Sequence, residues 1–305
     1  MMEFPAKYKS GFVALVGRPN VGKSTLMNAL LGQKVAAVSP RPQTTRQRQL
    51  GILTTEHFQM IFMDTPGMHE PAHRLGEYMD QVAKESLRDA DVIVWLVEAS
   101  VDPKKEDYLI SERLKTIRSP GTLILVLNKA DLSSPQALPD RIKTYQGLAK
   151  CDTVLVISAT SGEGLEDLLS SILAHLPEGA PLYEPNQITD YYERDIAAEL
   201  IREAALFNLR DEIPHGVAVR IDEFTERGEE GAYIHATLLV ERDTHKGIII
   251  GKGGEMLKRI GSAARHEIES MSGRKVFLEL RVKVNLNWRN KPEALRWLGY
   301  TQKKE

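Results

Sequence analysis

The chain has 305 residues, 42% apolar and 27% charged, a length that suits two buried cores better than one. Its 40 basic and 42 acidic side chains give a formal charge of -2, which excludes a uniformly basic protein that coats nucleic acid by charge alone. The single cysteine, Cys151, excludes an internal disulfide or a cysteine-based metal site, no apolar run reaches the roughly 18 to 20 residues of a bilayer span, and the start lacks a signal or transit pattern, so a cytoplasmic protein is expected.

Taken in chain order, short apolar runs predict strands at 12–16, 58–63, 92–97, 122–127 and 153–157. Amphipathic stretches predict helices between them, at 23–31, 75–89, 104–117, 136–149 and 164–176. This alternation predicts an α/β fold with a mainly parallel sheet and helices on both faces. Segment 35–54 breaks the pattern, being polar and rich in Gln, Thr and Arg. Pro177, Gly179, Pro181 and Pro185 then read as an extended linker. Beyond it the order becomes a helix at 190–208, strands at 216–225 and 232–241, a Gly-rich turn, a helix at 255–271, a strand at 276–284 and a short helix after Pro292. The domains expected are 8–178, a linker 179–189, and a smaller α+β domain 190–305.

Gly17-Arg18-Pro19-Asn20-Val21-Gly22-Lys23-Ser24, followed by Thr25, fits the phosphate-loop pattern between a strand and a helix. Its glycines let backbone N–H groups curl around phosphate oxygens, Lys23 neutralises the β and γ phosphates, and Ser24 ligates magnesium. Asp64-Thr65-Pro66-Gly67 follows the second predicted strand. There Asp64 holds the magnesium through water and the Gly67 N–H senses the γ phosphate. Asn128-Lys129-Ala130-Asp131 ends another strand. An Asp carboxylate only accepts hydrogen bonds, and guanine alone among the common purines offers two adjacent donors on one edge, so GTP and GDP are favoured over ATP. Ser158-Ala159-Thr160 follows the last of these strands and can supply an N–H to the guanine oxygen. Thr45, rather than Thr44, is the hydroxyl expected to close over magnesium, making 35–54 and 68–75 switch segments. Met68 stands where a Ras-type enzyme has a water-orienting glutamine. A thioether cannot take that role, so unaided hydrolysis is expected to be slow.

In the second domain, Ile250-Gly251-Lys252-Gly253-Gly254 and the apolar spacing after it, around Lys258 and Arg259, resemble the K-homology (KH) signature. Glycines admit a sugar-phosphate backbone, Lys252 adds charge, and an apolar floor including Ile248 to Ile250 accepts unstacked bases of single-stranded RNA. Charge is segregated accordingly: residues 1–180 carry 20 basic and 21 acidic side chains, 181–241 carry 5 and 14, and 242–305 carry 15 and 7. The near-neutral total is a cancellation, and the basic excess surrounds the Gly-Lys-Gly-Gly loop.

With both motif sets in place, the chain resembles the Era family of bacterial GTPases, from Gly17 to about Tyr300. The resemblance implies a Ras-like P-loop G domain followed by a type II KH domain, GTP hydrolysis with Mg2+, and binding of the 3′ end region of 16S rRNA during 30S subunit assembly and rRNA maturation. It also implies a monomer, some peripheral association with the inner membrane, and, through Asn20, a K+ ion near the phosphates. Two other readings stand beside it: a constitutive RNA assembly factor in which nucleotide only stabilises the fold, and a GTPase whose second domain binds protein or lipid. His69 and His73 have no third ligand nearby and read as surface loop. Trp288 and Trp297 read as packing for the last helix.

Overall fold

In the computed structural model, which describes residues 5, 7–39, 41, 44–68, 70–116, 121–226, 228 and 231–300, the chain divides by its contacts into two units. The first comprises Met1–Lys34, Thr45–Glu70 and Met79–Asp190; the second comprises Val35–Thr44, Pro71–Tyr78 and Tyr191–Glu305. The first unit is thus interrupted twice, where a continuous 8–178 was expected. The expected linker 179–189 counts with the first unit.

The first unit is built on β1 (Lys9–Val16), β2 (Gln49–Thr54), β3 (Phe58–Asp64), β4 (Val92–Glu98), β5 (Thr122–Asn128) and β6 (Thr153–Val156). They form one sheet in the order β2-β3-β1-β4-β5-β6, antiparallel only between β2 and β3. Helices α1 (Lys23–Leu31), α2 (Arg74–Asp89, its residues up to Tyr78 counting with the second unit), α3 (Lys105–Thr116), α4 (Leu138–Gln146) and α5 (Leu165–His175) alternate with the strands. β4 reads Val-Ile-Val-Trp-Leu-Val and is buried on both faces, as a central parallel strand covered by helices must be. Trp95 at its middle packs edge-on against Tyr145, with ring centroids 6.0 Å apart.

Segment 35–54, which breaks the predicted alternation, ends in a strand that was not among those expected, β2. Its sequence Gln-Leu-Gly-Ile-Leu-Thr lacks a sustained alternation, yet Leu50 and Ile52 bury one face against β3 across a tight turn closed by Thr55 N–H to Phe58 C=O, 2.8 Å. In a hairpin, two apolar residues on one face suffice to fix register. β2 is the sheet edge, and residues 177–190 bind along the sheet rather than crossing solvent as an extended linker. The Ile52 N–H donates to Ile188 C=O at 2.7 Å. Gln59, fully buried on β3, accepts from the Leu182 and Tyr183 amides and donates to Tyr183 C=O, all within 2.9 Å. Edge polar groups and the linker backbone satisfy one another.

The second unit carries α6 (Glu193–Asn208), β7 (Ala218–Glu226), β8 (Ala232–Val240), α7 (Asp243–Ile250), α8 (Glu255–Ser272), β9 (Val276–Val284) and α9 (Pro292–Trp297). The sheet order is β7-β8-β9, with β8 and β9 parallel. Period-two alternation sends Ile234, Ala236 and Leu238 into the helix-covered core, while Phe277, Glu279, Arg281 and Lys283 face outward. α7 corrects the reading of this stretch as turn only. Ile248-Ile249-Ile250 has β propensity, but burying Ile249 in the core holds it helical. Trp288 is buried and donates to Gly216 C=O at 2.9 Å. Trp297 departs from the packing role expected of it: it is half exposed, with the Arg220 guanidinium 3.6 Å above its ring.

Within the second unit, segment 35–44 is held by α6. The Val38 N–H donates to Glu203 at 3.1 Å, Arg41 donates to Leu209 C=O at 3.3 Å, and the buried Arg202 guanidinium donates to Thr44 C=O and to Glu199.

Candidate active site and nucleic-acid interface

Asp64, Glu98 and Asn128 are the last residues of β3, β4 and β5, so three polar side chains share the C-terminal edge of the sheet with the loop that follows β1. In open α/β sheets this edge is where ligands bind. Residues 17–22 curl between β1 and α1. Gly22 has φ 100°, and a Cβ there would lie 2.4 Å from Asn128 Nδ2, so no other residue fits. Lys23 Nζ donates to the Gly17 and Arg18 carbonyls at 3.1 and 3.2 Å. Burial lowers its pKa to about 8, against the pull of Asp64. The first turn of α1 holds no acidic residue, leaving its free N–H groups and positive dipole end for an anion.

Beside Lys23, Asp64 Oδ2 accepts from Ser24 Oγ at 2.6 Å and from Thr45 Oγ1 at 3.0 Å, and the two hydroxyls lie 3.0 Å apart. The Thr44 hydroxyl instead donates to Arg41 C=O, so geometry brings Thr45 and not Thr44 to this cluster. Asp64 is fully buried and, among the described residues, its Oδ1 has no hydrogen-bond partner. Burial raises its pKa, with Lys23, Ser24 and Thr45 acting the other way. Hard oxygen donors around a buried carboxylate with a spare oxygen fit Mg2+. Ser24, Thr45 and Asp64 would hold it, directly or through water. Thr65 fixes the next turn by donating to Leu15 C=O at 2.8 Å, and the Gly67 backbone runs against Pro19. Met68 is buried in the sheet core, so it cannot order an attacking water.

The base motif is tied to the phosphate loop by Asn128. Its Nδ2 donates to Val21 C=O at 2.8 Å, and its Oδ1 accepts the Ala159 N–H at 3.0 Å, joining the 17–24, 128–131 and 158–160 segments through one side chain. Ser158 Oγ donates to Asp131 at 2.6 Å and lies 3.2 Å from the Thr160 hydroxyl. Asp131 itself is exposed and able to accept more. The Arg18 side chain is taken up by the protein, leaving its backbone N–H for a phosphate. Its guanidinium is buried between Glu98, at 2.6 Å, and Asp107, at 3.3 Å. Glu98 also pairs with Lys129 at 3.4 Å. Burial alone would raise Glu98, but Arg18 and Lys129 more than offset it and hold its carboxyl below the usual range. Glu98 and Asp107 were missed in the sequence. The signal for Glu98 was the one that singled out Asp64, a carboxylate ending an apolar strand.

In the second unit Gly251, Gly253 and Gly254 have φ of 72°, 60° and 83°, a left-handed run that only glycines adopt without strain. Gly254 and Lys258 line a cavity of about 420 Å³ between α8 and β9, whose other walls are Leu257, Gly261, Ser262, Arg265, Leu278 and Leu280. Lys252 and Lys258 are exposed. Ile250 belongs to the core margin, and Ile248 and Ile249 do not line this cavity. Arg259 points elsewhere, its guanidinium 3.2 Å from Met256 Sδ. His73 Nδ1 accepts the Gly76 N–H at 2.9 Å, and His69 lies outside the described residues. Among the described residues no helix is long and apolar enough to cross a membrane.

A phosphate loop, a strand-end Asp, an Asn-Lys-x-Asp base motif and a separate helix–glycine-loop–helix unit define a P-loop GTPase joined to a KH domain. Residues 12–129 match the family model described as 50S ribosome-binding GTPase, and 212–289 match that described as KH domain. GTPase Era of Ruminiclostridium cellulolyticum is 48% identical over 297 residues, covering 97% of this chain and 99% of the relative. Two solved structures are similar along nearly their whole length. Era in complex with MgGDPNP and nucleotides 1506-1542 of 16S ribosomal RNA is 42% identical, with a TM-score of 0.89 and 97% of this chain and all of the other covered. A variant of Aquifex aeolicus Era bound to GDP.AlF4- is 41% identical, with a TM-score of 0.91 and coverage of 96% and 100%. The chain belongs to the GTPase Era family, and its activity is GTP hydrolysis.

Proposed function

We propose that this chain is a cytoplasmic, monomeric switch that couples GTP hydrolysis to its grip on the single-stranded 3′ end region of 16S rRNA during 30S subunit assembly and rRNA maturation. The bound relative carries that RNA segment and MgGDPNP together. In this reading Lys23 and the amides of 17–24 neutralise the β and γ phosphates, Ser24, Thr45 and Asp64 hold magnesium, and Asp131 reads the guanine edge. Magnesium bound there supplies stabilisation of the charge that develops on the phosphate oxygens. The Gly67 N–H senses the γ phosphate. RNA phosphates lie on the Gly-Lys-Gly-Gly loop, with Lys252 and Lys258 supplying charge.

The observation that carries the switch is the break between Thr44 and Thr45. The Thr45 hydroxyl sits on Ser24 and Asp64, while the carbonyl of the preceding residue is held by Arg202 on α6. A γ phosphate that pulls on Thr45 therefore pulls on a peptide anchored in the second unit. Coupling requires different RNA affinities in the two nucleotide states. The expected result is a difference of about tenfold or more, roughly 1.4 kcal/mol, between full-length protein loaded with GDP and with a non-hydrolysable GTP analogue. Equal affinities would leave two independent modules.

Because Met68 is buried, water must be placed by backbone and by an ion. Asn20, in a left-handed conformation with φ 67° in the phosphate loop, is assigned to K+. Hydrolysis should run about tenfold faster in potassium than in sodium, equivalent to roughly 1.4 kcal/mol off the barrier. Matching rates in the two salts remove that role from Asn20.

A further inference from the structure

β4 ends in a carboxylate between two strands that each lead into the nucleotide site. It pairs on one side with β1, which runs into the 17–22 loop, and on the other with β5, where Glu98 stands in register with Asn128. Glu98 directs its two oxygens to different segments. Its Oε2 accepts from Arg18 Nη2 at 2.6 Å, while Oε1 lies 3.4 Å from Lys129 Nζ and accepts from Ser100 Oγ at 3.2 Å. These charges are sheltered: 15% of the Glu98 side chain, 7% of Arg18 and 29% of Lys129 is exposed. Pairs so placed interact more strongly than the surface pairs that contribute little. Arg18 is braced from its far side by Asp107, 3.3 Å away in the first turn of α3.

The phosphate loop and the base motif are thus tied at two places by different chemistry. Asn128 joins them through a neutral hydrogen bond to Val21 C=O, which leaves the next residue unaccounted for. Lys129 has φ 62°, a left-handed conformation that a residue with a side chain adopts only where its surroundings hold it. Its ammonium is held by Glu98. Relaxing Lys129 to an ordinary backbone would swing Asp131, two residues on, away from its place. We propose that Glu98 is a positioning residue for nucleotide binding, a bridge that locks Arg18 of the phosphate loop to Lys129 of the base motif and so holds the two halves at the spacing of one guanine nucleotide. The proposal deepens the reading of 128–131 as the base site and rests on it. Its physical content is preorganisation: halves already set relative to each other need less ordering when nucleotide binds.

The test uses full-length protein and fluorescent GDP or a non-hydrolysable GTP analogue. Glu98→Gln keeps the shape and removes the charge. It should weaken both nucleotides about tenfold and to the same degree, chiefly through faster dissociation in stopped flow, because base and first phosphates are common to both. Inorganic pyrophosphate with magnesium, which occupies the phosphate half alone, should compete equally well against labelled nucleotide, once scaled for the label's affinity, in variant and wild type. Lys129→Met should weaken nucleotide at least as much as Glu98→Gln, and adding Glu98→Gln to it should cost nothing further, since a bridge already broken has nothing left to position. Should Glu98→Gln fail to fold, Arg18→Gln with Lys129→Met runs the same cycle from the other end and should give the same non-additivity. Penalties that multiply, or pyrophosphate binding that falls along with GDP, overturn the bridge and leave the base site standing. Unchanged nucleotide affinity in Lys129→Met removes Lys129 from the base site and overturns the reading beneath the proposal.

Discussion

Lys23→Ala is expected to reduce GTP and GDP affinity by two to nearly four orders of magnitude, roughly 3–5 kcal/mol, while leaving the empty protein at least as stable as wild type. The two effects share one cause. Lys23 is nearly fully buried, its ammonium donates among the described residues to the Gly17 and Arg18 carbonyls, and burial has lowered its pKa to about 8 from 10.5. A buried cation with a folded-state pKa below its free value is a charge the fold carries at a loss near neutral pH, on the order of 3 kcal/mol at most. Phosphate oxygens reverse that sign by providing the counter-charge. Removing the lysine therefore leaves bound nucleotide with an unpaired buried charge and relieves the empty fold of one. Titration with fluorescent nucleotide, with thermal melts in its absence, separates these outcomes. A variant that loses nucleotide binding and also melts well below wild type would show that Lys23 is a structural residue of the loop.

How much of this was legible in the sequence depends on where each constraint comes from. Phosphate and guanine recognition require particular backbone conformations and acceptor groups at fixed places after strands, so Gly22, Lys23, Asp64, Asn128 and Asp131 were readable one by one. The strands that carry them are buried on both faces, and their apolar runs gave the parallel sheet. β2 was not readable because an edge hairpin needs only Leu50 and Ile52, and α7 was not because a packed Ile249 overrides the strand preference of three isoleucines. Residues 177–190 looked like a linker by composition. What binds them is Gln59, more than 120 residues earlier in the chain, a pairing that local pattern cannot reveal. The roles of Asn128 and Arg18 were legible only in part. Both lie in nucleotide motifs, but their side chains are occupied by the protein, Asn128 by Val21 and Ala159 and Arg18 by Glu98 and Asp107.

Asp131→Asn should move base preference from guanine to xanthine, and the argument needs only donors and acceptors. Asp131 is exposed, and Ser158 donates to one of its oxygens at 2.6 Å, leaving capacity to accept the guanine N1–H and 2-amino hydrogens. Inosine triphosphate lacks the 2-amino group and should bind the wild type about ten- to a hundredfold more weakly than GTP, the value of one hydrogen bond to a charged acceptor at roughly 1.5–3 kcal/mol. In the asparagine variant one oxygen becomes an NH2, so a donor faces the guanine 2-amino donor and a charge-assisted bond is lost as well. GTP affinity should fall by on the order of two to three orders of magnitude. Xanthine has a carbonyl oxygen at that carbon and keeps N1–H, so the amide matches it with both its groups. XTP should then bind and be hydrolysed by the variant in preference to GTP. Competition among GTP, ITP and XTP against a labelled nucleotide measures all three in one format. If the variant still prefers GTP and gains nothing for XTP, the base is not read by Asp131, and its bond to Ser158 only shapes the loop.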